Sequence, residues 1–123
     1  MKYEAFISYR RENGFLMAQV IHDRLEEKGL RCFLDLEELR SGQFDEKIYV
    51  AIQESHSFIL ILPKNALNRC VNEDDWVRKE IMAAVKYNKT IIHVMYDGFK
   101  WRKKWKVGIP EEIKNLETTN GVS

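Results

Sequence analysis

Short apolar runs rich in β-branched and aromatic residues alternate along the chain with segments whose apolar residues return every three or four positions. Tyr3 to Ser8 predicts a first strand. Phe15 to Lys28 predicts a helix with Met17, Ala18, Ile21 and Leu25 on one face, and Gly29 stands where a left-handed residue would stop it. Arg31 to Leu34 reads as a second strand, followed by a polar loop from Asp35 to Gln43 with a turn at Ser41-Gly42. Phe44, Ile48 and Ile52 mark a second helix over Phe44 to Glu54. Phe58 to Leu62 is apolar throughout, the pattern of a strand covered on both faces. The loop from Pro63 to Asp74 ends in Asn72, Glu73 and Asp74, which suit a helix N-terminus. A third helix is expected over Asp75 to Tyr87 and a fourth strand over Thr90 to Met95. A loop from Asp97 to Ile109 and a short helical turn from Glu111 to Leu116 follow, and Gly121-Val122-Ser123 reads as the start of a last strand.

This alternation predicts an α/β fold: a parallel sheet of about five strands with helices on both faces. Right-handed crossovers leave few topologies, and a flavodoxin-like order, 2-1-3-4-5, is the simplest. At 123 residues the chain holds one domain, spanning 1–123. A parallel edge strand usually carries a covering helix, and none follows here. The expectation is therefore the amino-terminal part of a larger protein, with a sensor domain after it.

Composition narrows the function. With 45% hydrophobic and 32% charged residues the chain is an ordinary globular protein. Its 20 basic and 19 acidic residues leave a charge of +1, too even for binding nucleic acid by bulk electrostatics. Cys32 and Cys70 stand far apart, and with His22, His56 and His93 they form no metal-ligand spacing, so no metal is expected. Lone thiols, a charged start and no long apolar run point to a cytoplasmic protein without a membrane span. The cluster Lys100, Trp101, Arg102, Lys103, Lys104, Trp105, Lys106 is read as a contact surface for another chain or domain. Neither GxGxxG nor a phosphate-cradling GKS or GKT occurs, so classical dinucleotide binding is absent.

In a doubly wound sheet, ligands sit beyond the carboxyl ends of strands where the strand order reverses, here between the first and third strands. The first strand delivers Ser8, Tyr9, Arg10 and Arg11 to that crevice; the third leads to the helix holding Glu80. Arginine and tyrosine there suit a nucleotide, as a fork for phosphate and a flat face for a ring. The plain alternatives are surface arginines closing a strand and a tyrosine capping the core. Glu80 lies one turn after Trp76, beside the apolar stripe Val77, Ile81, Ala84 and Val85. Most helix glutamates are solvated. Yet the positions three and four away are Trp76, Val77, Ala83 and Ala84, so the helix offers this one no cation.

Four strings then carry a resemblance. Phe6-Ile7-Ser8-Tyr9-Arg10-Arg11 resembles the opening strand motif of TIR domains, and Asp35-Leu36-Glu37-Glu38-Leu39-Arg40-Ser41-Gly42-Gln43-Phe44 resembles their BB loop. Asp75-Trp76-Val77-Arg78-Lys79-Glu80-Ile81 is similar to the helix with the catalytic glutamate of NAD-cleaving TIR domains. Asp97-Gly98-Phe99-Lys100-Trp101 with Ile109-Pro110 resembles the loop before the last strand. The likeness runs from Tyr3 to about Val122, towards the TIR domains of the SARM axon-degeneration enzyme and of bacterial defence proteins such as TIR-STING. The final helix of those domains is missing.

The resemblance implies a NAD+ glycohydrolase with Glu80 as catalytic residue, in cell-death or anti-phage signalling. Ser8, Tyr9, Arg10, Arg11 and Trp76 would bind substrate, joined by Asp35 and Glu38 of the loop that the resemblance places over the pocket. NAD+ is then a substrate and no cofactor is needed. TIR–TIR self-association, with the Asp35 to Gln43 loop meeting a neighbour, would activate it; neither nucleic acid nor membrane is an expected partner. The alternative is a non-enzymatic TIR adaptor, which usually lacks the glutamate. A phospho-acceptor receiver would need acidic residues closing the first strand, which ends in Ser8-Tyr9-Arg10 instead.

Overall fold

The computed structural model describes residues 1–34 and 42–118. Its strands are β1 (Tyr3–Ser8), β2 (Cys32–Leu34), β3 (Ser55–Leu62) and β4 (Thr90–Met95), all parallel and ordered β2-β1-β3-β4. Its helices are α1 (Arg11–Glu27), α2 (Gly42–Gln53), α3 (Trp76–Lys86) and α4 (Glu111–Lys114), with 3-10 turns at Asn68–Val71 and Leu116–Thr118. This is the expected doubly wound arrangement. The expected fifth strand at residues 121–123 and most of the loop after β2 lie outside the described residues.

The two faces of the sheet build two cores. Ala5, Ile7, Ile59 and Ile61 point to one side, against Ala18, Met17, Ile21 and Leu25 of α1. Phe6, Phe58, Leu60, Leu62 and Ile91 point to the other, under Ile48 and Ile52 of α2 and Val77, Ile81 and Ala84 of α3. A strand buried on both sides has no polar alternation to show, which is why β3 reads as an unbroken apolar run. The ring of Phe6 stacks between Phe33 at 5.2 Å and Phe58 at 5.7 Å, locking the register of β2, β1 and β3.

Two boundaries differ from the sequence reading by more than two residues. α1 starts at Arg11, four positions before Phe15. Its first turn is polar, so no apolar period announces it; what closes it onto β1 is Gly14, where an added Cβ would stand 3.4 Å from Tyr9 Cβ. β3 starts at Ser55, which pairs with Tyr3 and whose hydroxyl donates to the Ala51 carbonyl at 2.7 Å. Gly29 ends α1 with φ of +81°, the left-handed stop expected of it. Phe58 has no exposed surface and packs at the centre of the larger core. Phe58→Ala should therefore cost about 3 to 5 kcal/mol of unfolding free energy in urea titration; a loss under about 1 kcal/mol would contradict this packing.

Candidate active site

At the carboxyl ends of β1 and β3, where the strand order reverses, a cleft of about 330 Å³ opens. Tyr9 and Arg10 line it from the link after β1, Arg11 from the start of α1, Trp76, Val77 and Glu80 from α3, and Arg69 and Asn72 from the 3-10 turn before α3 and the residue that ends it. The crevice is thus where the topology places one.

Glu80 is the buried carboxylate of this cleft. The carboxylate of this α3 residue is only 2% exposed, yet it forms part of the cleft wall. Burying a carboxylate is costly unless hydrogen bonds replace its water. Ser8 supplies one: its hydroxyl, 1% exposed, donates to Glu80 Oε1 at 2.7 Å. Ser8 stands behind Glu80, outside the residues that line the cleft. It sits beneath Glu80 and orients it, because the inward side of β1 faces α3 at this position.

Arg10 lines the cleft and is tied to its frame. Its guanidinium, buried with 7% of the side chain exposed, forms a two-pronged ion pair with Asp75, one prong being Nη2 to Oδ2 at 2.9 Å. Its Nε donates to the Ala66 carbonyl at 2.7 Å, and Nη2 approaches Cys70 Sγ at 3.4 Å. The fork expected to hold phosphate is therefore engaged in welding β1 to the loop after β3 and to the start of α3. Asp75 caps α3 as well, accepting from the Arg78 backbone N–H at 3.0 Å. Burial alone would push the Asp75 carboxyl up; the Arg10 bonds and charge outweigh that and hold it below its ordinary value. Burial pushes the neighbouring Cys70 thiol up to about 12, so it is inert at neutral pH.

Arg11 differs from Arg10. It is half-buried at the cleft, and its Nη2 is buried without a hydrogen-bond partner among the described residues. A buried unmatched guanidinium donor is rare and costly, and an anion entering the cleft would satisfy it. Tyr9 belongs to the core under α1, 6.0 Å from Phe15, and still reaches the cleft. Trp76 is half-buried at the rim with the Lys79 ammonium 4.8 Å from its ring centre. Arg69 and Glu12 form an exposed ion pair across the mouth. Asp35 and Glu38 lie outside the described residues.

Sequence reasoning missed Asp75, whose clue was its place before the apolar period of α3. It also missed Arg78, whose Nη1 reaches the carbonyls of Cys70 at 3.1 Å, Val71 at 3.3 Å and Gly108 at 3.1 Å. This one cation fastens the loop after β4 to the turn before α3. No group of three or more His, Cys, Asp or Glu able to hold a metal occurs among the described residues, and no described helix is long and apolar enough to cross a membrane.

Comparison with known proteins fits this geometry. A family model described as TIR domain matches residues 5–119. The chain is 35% identical to NAD(+) hydrolase sarm1 of Drosophila melanogaster over 98% of its own length and 9% of that protein's. It is 38% identical to NAD(+) hydrolase tir-1 of Caenorhabditis elegans over 97% of its length and 12% of that protein's. It therefore spans only about a tenth of these relatives. A metazoan TIR-STING receptor from C. gigas shares the fold, with a TM-score of 0.64 and 24% identity over 93% of this chain and 36% of that one.

The Arg10–Asp75 weld gives a stability prediction. Asp75→Asn leaves a buried guanidinium without its counter-charge and should cost about 3 to 5 kcal/mol at pH 7. Because the native carboxyl titrates below its ordinary 3.8, the unfolded chain takes up the proton first on acidification. The pair's stabilisation is whole above that value and fades as pH falls through the native one. Chemical unfolding from pH 7 to pH 2.5 should show this acid loss shrinking in Asp75→Asn; an unchanged pH profile would remove the pair from its place.

Proposed function

The chain belongs to the TIR-domain family, and we propose that its cleft hydrolyses NAD+ at the bond between nicotinamide and ribose, with Glu80 as the catalytic carboxylate. One observation carries the reading: a buried carboxylate, held by Ser8, lies in the wall of a cleft at the sheet's switch point. Two relatives named NAD(+) hydrolases, similar to this chain over nearly all its length, support it.

The reaction suits a single carboxylate. In NAD+ the nicotinamide is already cationic and leaves neutral, so no acid need protonate it, unlike an ordinary glycoside with its carboxyl pair. As the bond stretches, positive charge grows on the ribose. A preoriented Glu80 stabilises that charge and accepts hydrogen bonds from ribose hydroxyls, an effect typically worth about 3 to 4 kcal/mol. Arg11, with its unmatched buried Nη2, meets the diphosphate. Trp76 at the rim offers a flat face to a ring. Water completes the reaction to ADP-ribose, or a ribosyl hydroxyl or base nitrogen closes a cyclic product. NAD+ is consumed as substrate and serves as no cofactor.

NAD+ is always present in cytoplasm, the compartment proposed here, so an unregulated NADase would poison its host. Activity must belong to a second state, which TIR–TIR assembly supplies with the 35–43 loop meeting a neighbouring domain. The whole protein would act in NAD-depleting defence or cell-death signalling under a C-terminal sensor. A non-enzymatic adaptor is the second reading; the Glu80 carboxylate in the cleft weighs against it.

Glu80→Gln keeps the side chain's shape and removes the charge. It should lower nicotinamide release at least about tenfold, a 1.4 kcal/mol effect, with an unchanged melting temperature. Retention of near-wild-type turnover would defeat the assignment. Ser8→Ala should lower kcat about tenfold or more with KM little moved, since the lost bond orients a charged group, whereas Arg11→Ala should mainly raise KM. An effect of Ser8→Ala confined to KM would return Ser8 to the binding surface.

A further inference from the structure

A second cavity, of about 720 Å³, lies beside the catalytic cleft and shares no lining residue with it. The dividing wall is the 3-10 turn Asn68–Val71: Asn68 faces the larger cavity and Arg69 the cleft. Its volume falls within the roughly 300 to 1,000 Å³ of small-molecule sites. Its chemistry is two-sided. Lys64, Lys100 and Arg102 contribute three cations against the single carboxylate of Asp97, in a chain whose net charge is only +1. Trp101, Trp105 and Phe99 contribute aromatic faces.

The aromatic side is braced. Trp101 meets Phe99 edge-on at 5.0 Å and His93 edge-on at 5.1 Å. His93 is 3% exposed, and burial pushes its pKa down, so a neutral ring backs the indole at pH 7. Trp101, Trp105 and Phe99 also pack against the main core, which fixes their positions without hiding them from the cavity. The loop that carries them is fastened by the Arg78 bond to Gly108. Arg102 is steadied by a 2.7 Å bond from its Nη2 to Asn68 Oδ1. The lips hold two non-glycine residues in the left-handed region, Asn65 at φ +65° and Asp97 at +54°. Such strain persists where surrounding structure enforces it, and it clusters at ligand sites.

We infer that this cavity binds a nucleoside phosphate, its base lying against Trp101 or Trp105 and its phosphates on Lys64, Lys100 and Arg102. Rigid aromatic faces gain from stacking a planar base. Phosphate alone would need only the cations, and an apolar ligand would gain nothing from them. The site is independent of catalysis at Glu80, so it stands or falls apart from the proposed activity.

Calorimetric titration of the intact chain with ADP, adenosine and inorganic phosphate tests it. ADP should bind more tightly than adenosine or phosphate, and less tightly as salt rises. The exposed double change Lys100→Glu and Arg102→Glu should weaken ADP binding at least about tenfold without lowering the melting temperature, while Arg11→Ala in the catalytic cleft should leave it intact. Three results would overturn the inference: no binding of ADP, binding unaffected by the charge reversal, or binding lost in Arg11→Ala. Tighter binding of a duplex oligonucleotide than of ADP, through the same two cations, would also overturn it.

Discussion

The buried guanidinium of Arg10 holds three separate pieces of chain in one place: the end of β1 that carries it, the loop after β3 through the Ala66 carbonyl, and the first turn of α3 through Asp75. In a doubly wound fold these pieces converge from distant parts of the sequence, and the sheet alone does not set their separation. A charge out of water is tolerated only when fully matched, so the pair has few alternative geometries. That constraint fixes the start of α3, and so where Glu80 stands relative to Ser8. The Arg78 contacts with the carbonyls of Cys70, Val71 and Gly108 extend the same logic to the loop after β4.

Function then follows from a division of labour between neighbouring residues of one strand end. Ser8 points inward and orients Glu80. Arg10 points inward and builds the frame. Tyr9 and Arg11, on alternate positions, face the helix-α1 side and the cleft. A run that reads as four binding residues is one buried support, Ser8, and three cleft-lining residues, of which Arg10 also holds the frame.

Much of this was legible in the sequence. The unbroken apolar run of β3, the stop at Gly29 and the helical spacing of Val77, Ile81 and Ala84 gave the layers and their order, because burial imposes those periods directly. The position of the cleft followed from topology. The roles of Arg10 and Ser8 did not, since a sequence does not tell which of two adjacent cations finds a buried partner. Asp75 was hidden among the acidic residues Glu73 and Asp74, and only the cap geometry singles it out. The polar first turn of α1 carries no apolar signal at all.

The central claim is that one oriented carboxylate suffices because the leaving group is already cationic. Substrate charge tests this most directly. Purified protein, at a concentration where NAD+ is consumed, should be offered NAD+ and NADH in parallel with the products separated by chromatography. The two dinucleotides share their diphosphate and adenosine, but the reduced ring of NADH carries no positive charge and would leave as an anion. The account predicts one nicotinamide released for each NAD+ consumed and NADH left intact. Cleavage of NADH at a comparable rate, or no release of nicotinamide from NAD+ at any protein concentration, would contradict it.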